Sequence, residues 1–275
     1  MAASRPKYTG FARRASPGRF RSARNALVRS WYNPAAMANF AEALALTFLP
    51  ATCAICRAAL PWGGSRAGIC AGCWETLPLY RGPRCPVCGD PEAATGGPCL
   101  ACRTDPPPWR AAATLGPYEG TLRDLVLLFK NRGRDELAAP LARLLARTAR
   151  DAGWESPAAV VPVPMTWLRR IRRGYDQAGL LGRRVARELG VPFSRALRRR
   201  AGGAPQVGRS RSERLRLTAS AFAARRPVAG RVVLVDDVIT TGATAAGCAR
   251  ALARAGADEI YVLAIARTAQ PGRIA

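Results

Sequence analysis

The chain has 275 residues, 49% of them apolar, so it can bury a sizeable core and is not disordered throughout. Forty-three Lys and Arg against 18 Asp and Glu leave a formal charge of +25, which points to a polyanionic partner or a phosphorylated substrate. There is no histidine, which excludes Ser-His-Asp triads, Cys-His dyads and every metal site built on imidazole.

Residues 1–36 hold eight Lys or Arg and no acid among scattered Gly, Ser and Pro, and read as a disordered basic tail. The N-terminus lacks the apolar stretch of a secretory signal, and no apolar run reaches the ~18–20 residues of a membrane helix. A soluble, cytoplasmic protein is expected. Met37, at the edge of the tail, is a candidate natural start. Residues 40–49 read as one short apolar helix closed by Pro50.

Eight of the nine cysteines then fall into four Cys-x-x-Cys pairs: Cys53/Cys56, Cys70/Cys73, Cys85/Cys88 and Cys99/Cys102. In a reducing compartment such pairs argue for metal, because two thiolates separated by two residues turn around one tetrahedral ion. Four half-sites make two four-cysteine Zn²⁺ centres. Whether neighbouring pairs combine or the pairs interleave is open at this level. Gly89, directly after Cys88, suits the tight backbone turn of a zinc knuckle. The module ends in Asp105-Pro-Pro-Pro108, a stiff linker. Cys248 stands apart in an Ala-rich helical pattern and reads as a small core residue.

From Trp109 the pattern alternates between strands and helices. Leu122, Leu125, Val126 and Phe129 recur at helical spacing, as do Leu137, Leu141, Leu144 and Leu145. Residues 159–163 form a short strand. Ala178, Leu181, Val185 and Leu189 line a helix that Gly190 ends. Val232-Val-Leu-Val235 is a buried strand, followed by a helix that stops at Gly256 and a last strand over 260–265. Alternation of this kind predicts an open parallel α/β sheet. The boundaries expected are a tail (1–36), a helix and cysteine module (37–104), a linker (105–108) and an α/β domain (109–275).

The stretch with most chemistry runs from Val232 to Thr244. A buried strand delivers Asp236 and Asp237 to its carboxyl end, where α/β sheets bind ligands. Thr240, Thr241, Gly242, Ala243 and Thr244 then form a tight turn into a helix N-terminus. Free N–H groups, hydroxyls and the helix dipole converge there, which suits a phosphate monoester. A sugar between the two would reconcile acids with phosphate, its hydroxyls donating to the carboxylates.

This segment resembles the phosphoribosyl pyrophosphate (PRPP) signature of type I phosphoribosyltransferases. From about Met37 the chain is similar to the ComF family, which joins a double zinc ribbon to a phosphoribosyltransferase-like domain. The match is also carried by the cysteine module, Leu127-Leu-Phe-Lys-Asn-Arg-Gly133, Val161-Pro-Val-Pro164 with Arg172-Arg-Gly-Tyr-Asp-Gln177, Pro205-Gln206, Arg214 and Ala221-Phe222. Two positions depart from the family pattern: Asp176 stands where Asn is usual, and Leu217 where Asn follows the arginine. The resemblance implies PRPP with Mg²⁺, the metal held mainly by PRPP oxygens. It also implies Asp236 and Asp237 as catalytic acids, and Val163 and Pro164 as the pyrophosphate loop. A link to DNA uptake, single-stranded DNA and other competence proteins is implied as well.

Charge supports a second partner. Fifteen arginines face three acids between residues 169 and 216. Arg172, Arg173, Arg198, Arg199, Arg200 and Arg214 are candidates for a lid over PRPP or for a belt that tracks a single strand. The same arginines also fit plain solvated charge. Trp167 and Tyr175 are candidates for stacking on bases or for core packing.

Overall fold

The computed structural model describes residues 52–60, 65–91, 97–131, 134–154, 156–165, 175–200 and 221–268. The expected tail and the helix over 40–49 lie outside these residues, as do Trp167, Arg172, Arg173, Gln206, Arg214 and Leu217. Residues 51–275 cluster as one compact unit.

Strand β7 (Arg231–Ile239) shows why the sheet forms. Val232, Val233, Leu234 and Val235 are all buried, so both faces of the strand must be covered. Val233 and Val235 point into one core, with Leu122, Leu125, Phe129, Leu141, Leu145 and Leu181. Val232 and Leu234 point into the other, with Val161, Cys248, Ala249 and Leu252. This is the period-two alternation of a strand inserted between two helical layers.

After a short antiparallel pair in the cysteine module, β1 (Ser65–Arg66) and β2 (Ile69–Cys70), four strands make the sheet, in the order β3 (Ala111–Pro117), β8 (Glu259–Arg267), β7, β4 (Ala159–Pro162), every pair parallel. The first core is covered by α3 (Gly120–Asn131), α4 (Ala138–Asp151) and α5 (Gln177–Leu189). The second is covered by α6 (Ala243–Arg254). Gly190 adopts the left-handed conformation (φ 71°) and closes α5, as expected from its position. Cys248 is fully buried against α6's core face, the small apolar role expected of it.

Two elements go beyond the sequence expectation. β3 has the sequence Ala-Ala-Ala-Thr-Leu-Gly-Pro, which carries almost no strand propensity. It forms because β8 offers a parallel partner on one side. A small antiparallel pair, β5 (Leu197–Arg199) with β6 (Phe222–Ala224), lies across α6.

Candidate functional site

The eight paired cysteines assemble as neighbours. Cys53, Cys56, Cys70 and Cys73 bring their sulfurs within 4.8 Å of one another, and so do Cys85, Cys88, Cys99 and Cys102. Within these sets Sγ–Sγ distances are 3.8 Å (Cys53–Cys73), 3.6 Å (Cys56–Cys70) and 3.7 Å (Cys88–Cys99). A tetrahedron with Zn–S bonds of ~2.3 Å has edges of about 3.8 Å, so the donor sets fit zinc.

The two centres repeat one backbone design, an internal repeat that the sequence showed only as cysteine pairs. The N–H of Cys70 lies on Cys53 Sγ at 3.4 Å, and that of Cys99 on Cys85 Sγ at 3.3 Å. Cys70 precedes α1 (Ala71–Glu75) and Cys99 precedes α2 (Leu100–Thr104). Arg57 and Gly89, each following the second cysteine of a knuckle, have φ of 66° and 73°. Burial raises the first thiol of each centre, but amides outweigh it. Those of Cys70, Cys56 and Ile55 bring Cys53 down to about 6, and those of Cys88, Cys99 and Val87 bring Cys85 to about 7. Burial instead pushes Cys73 up to about 12 and Cys88 to about 11. In each centre these amides favour the thiolate of the first cysteine over that of its buried partners.

The ribbon seals the free edge of β3. The N–H of Tyr80 donates to Leu115 O at 2.8 Å, and Arg84 Nη1 to Thr114 O at 3.2 Å. A Cβ on Gly89 would lie 2.7 Å from Ala112 O, so only glycine allows this approach. Cys53, Leu60, Ile69, Cys73 and Leu77 join the core of the α/β domain itself. Buried Arg267, at the end of β8, donates from Nη1 to Cys88 O at 3.0 Å and lies 3.8 Å from Asp90. Its charge offsets that of a four-thiolate centre.

All four strands run the same way, and the sequence's acidic pair stands just past the end of β4, in the last part of β7, which continues to Ile239 along β8. Asp237 Oδ1 is 3.1 Å from Lys130 Nζ, with side chains only 16% and 19% exposed. Asp236 Oδ1 accepts from the N–H of Asp237 at 2.8 Å. Burial first, then the charge of Asp237, pushes the Asp236 carboxyl up to about 8. Both acids are half-buried there, with β4 and β8 on either side of β7. Lys130 was legible only as part of the 127–133 stretch, not as a counter-ion. Its place is set from behind, since Gln177 Nε2 donates to Lys130 O at 2.9 Å and Tyr175 Oη donates to Phe129 O. Tyr175 packs edge-on against Phe129, which favours the core reading of this residue.

Beyond Asp237 the chain turns into α6. Gly242 caps that helix with φ 77°, a left-handed conformation that favours glycine. Thr241 Oγ1 accepts from Ala243 N at 3.3 Å. Thr240 and Thr241 are exposed, and Gly242, Ala243 and Thr244 partly so. Val163 donates its N–H to Val235 O at 2.9 Å, directly after the register pair Pro162–Val235, so Val163 and Pro164 leave β4 on the side of the acids. Asp176, at the position of the usual Asn, caps α5 through Gly179 N (2.9 Å) and pairs with Arg195 (3.0 Å).

Of the candidate arginines, Arg198 and Arg199 lie in β5 and Arg200 just after it. Arg199 sits 5.3 Å from the centre of the Phe222 ring. Arg200, Arg225, Arg226 and Arg254 line an open groove of about 460 Å³ with no acid in its walls.

The double zinc ribbon domain family matches residues 44–103, a span that holds all eight paired cysteines. "DNA utilization protein YhgH" of Salmonella typhimurium is 37% identical over 80% of this chain and 98% of its own length. "Competence protein F" of Haemophilus influenzae is 32% identical over 74% of this chain and 92% of its own. The chain belongs to the ComF family. Among solved structures, the fold is similar to a Bacillus subtilis glutamine PRPP amidotransferase complexed with ADP and GMP. The TM-score is 0.36 and identity 21%, covering 50% of this chain and 30% of that one. An adenine phosphoribosyltransferase gives a TM-score of 0.30 at 21% identity, covering 50% and 72%. As expected of a ComF member, a double ribbon precedes an open parallel sheet that carries paired acids at a strand end. No helix among the described residues is long and apolar enough to cross a membrane.

Proposed function

We propose that this ComF-family protein binds Mg–PRPP at the end of β7 and works as a phosphoribosyltransferase-type protein. The observation that carries this reading is the half-buried Asp236–Asp237 pair, with Lys130 against Asp237, separated by two residues from the Thr240–Thr244 turn. Asp236 and Asp237 accept hydrogen bonds from the ribose hydroxyls, and the turn holds the 5′-phosphate through its N–H groups and the N-terminal end of α6. Val163 and Pro164 border the pyrophosphate, and Mg²⁺ is carried mainly by PRPP oxygens. Transfer needs no covalent nucleophile: alignment and charge stabilisation of an oxocarbenium-like state suffice, which suits a chain without histidine. Calorimetric titration with Mg–PRPP, followed by pyrophosphate release with a panel of nucleobases, tests this. Saturable binding is expected. No heat and no protection from proteolysis at millimolar PRPP would contradict it.

A second reading is favoured by the groove of Arg200, Arg225, Arg226 and Arg254 and by the names of the relatives, a DNA utilization protein and a competence protein. None of these four guanidiniums pairs with a carboxylate among the described residues. Two are pinned, Arg226 to Ser194 Oγ at 2.7 Å and Arg225 to Leu197 O at 3.4 Å. Arg254 closes the end of α6 opposite the phosphate turn, ~18 Å away along a helix of 12 residues. A single strand held there leaves the PRPP turn open. Replacing Arg225 and Arg226 with Ala is expected to weaken single-stranded DNA of any sequence and to lower the salt slope by about one to two. An unchanged slope would remove this surface.

A further inference from the structure

Trp109 bridges two sites that lie far apart in the sequence. Its indole Nε1–H donates to the carbonyl of Val87 at 2.9 Å. Val87 belongs to the Cys85-Pro-Val-Cys88 knuckle, and its own N–H is one of the amides turned toward the Cys85 sulfur. The benzene ring of the same indole reaches the phosphate turn: a Cβ on Gly242 would lie 3.1 Å from Trp109 Cη2 and 3.9 Å from Cζ2. The backbone just after Trp109 is fixed as well, since Arg110 N donates to Ile260 O at 2.8 Å as β3 begins.

A rigid ring therefore connects a metal knuckle to the residue whose left-handed conformation opens α6. The ring has two χ angles and is held at both ends, so it transmits displacement instead of absorbing it. With metal in place the knuckle fixes the Val87 carbonyl, the carbonyl fixes the indole, and the indole limits how far Gly242 can move. Without metal the knuckle loses the constraint that sets the carbonyl's position. Arg267 adds a second tie, from Cys88 O to the strand end next to Ile239.

We propose that Trp109 is a positioning residue through which the second four-cysteine centre holds the phosphate turn in its binding shape, so that metal at Cys85, Cys88, Cys99 and Cys102 and phosphate at Thr240–Thr244 strengthen each other's binding. The phosphate half of this proposal rests on the PRPP reading of the turn. Coupling of this kind is reciprocal by thermodynamic necessity. Occupied turns then protect the second metal by the same factor by which that metal improves phosphate binding.

The test compares the full chain with Trp109→Ala and Trp109→Phe, each checked for two bound zinc ions by elemental analysis. Hydrogen–deuterium exchange is read on peptides covering 240–246 and, as a reference, 71–75. Trp109→Ala is expected to speed exchange over 240–246 about tenfold, leave 71–75 unchanged and weaken Mg–PRPP about tenfold. Trp109→Phe keeps the ring body without the donor and falls between. In the wild type, saturating Mg–PRPP is expected to reduce zinc loss to a chelator from one centre only, an effect that Trp109→Ala abolishes. A packing role without coupling would lower the melting temperature but leave exchange at 240–246 unchanged in zinc-loaded protein, and that result overturns the proposal. Should Trp109→Ala fail to fold, equal zinc loss with and without Mg–PRPP in a PRPP-binding wild type overturns it. Absence of PRPP binding in the wild type overturns the PRPP reading, while the exchange comparison, which needs no ligand, still decides the strut.

Discussion

Lys130 Nζ lies 3.1 Å from Asp237 Oδ1, and the contact joins the last turn of α3 to the end of β7. It places a cation against a carboxylate whose neighbour, Asp236, is already desolvated. The arrangement holds two acids side by side with one partner charge, which favours the protonated form of Asp236.

Replacing Lys130 with Met leaves Asp237 partly buried and unpaired. The cost expected is ~1–2 kcal/mol, less than for a fully buried pair because both groups retain some water contact. It should be largest above pH 8, where both acids are charged. Adding Asp237→Asn should recover most of it. Urea unfolding of the two single variants and the double variant measures the coupling, and simple additivity would show that the contact carries no energy.

Asp236 gives a pH signature. Its ordinary value is 3.8 and the fold raises it to about 8, so between those values the folded chain holds a proton that the unfolded chain has lost. Its contribution therefore makes stability fall as pH rises from about 4 to about 8, with no further change above. Asp236→Asn should remove that slope, measured between pH 6 and 9, where zinc stays bound. If ribose requires the ionised acid, Mg–PRPP binding releases a proton at pH 7 and tightens toward pH 8. Titrations in buffers of different ionisation enthalpy read the proton directly.

Gly89 and Arg57 occupy the same place in the two knuckles, with φ of 73° and 66°. Gly89→Ala is expected to destabilise by ~1–2 kcal/mol from its backbone conformation alone. The clash with Ala112 O, 2.7 Å from the new Cβ, adds to that. Arg57→Gly should not destabilise, because it relieves the same conformation where no backbone crowds it. Thermal melts of zinc-loaded protein decide both.

Eight cysteines in two separate tetrahedral sets predict two zinc ions per chain. Cys56→Ser should cost one ion and leave the Cys85 centre filled, since no ligand is shared. Elemental analysis that finds both ions lost would show that the centres depend on one another.

The strand–acid–turn–helix stretch was legible because every level agrees there: a continuous apolar run, two acids, a glycine where φ is positive, and a helical pattern beyond. The metal centres were legible from thiol spacing, but their pairing was not, since spacing is equally satisfied by interleaved pairs. β3 was hidden because Ala111, Ala112 and Ala113 gain strand structure only from β8 on one side and the ribbon on the other. Lys130, Trp109 and Arg267 were missed for a shared reason. Each acts across elements distant in sequence, through a carboxylate, a carbonyl or a glycine that no local motif announces.

The most direct test of the site is calorimetric titration of Mg–PRPP into the wild type and into Asp236→Asn/Asp237→Asn, both zinc-loaded and folded. Saturable binding to the wild type is expected, with loss of ~1–3 kcal/mol in the double variant, about tenfold or more in affinity, as charge-assisted hydrogen bonds to ribose disappear. Equal affinity in the two proteins, or none in the wild type, would contradict the assignment of this strand end to PRPP.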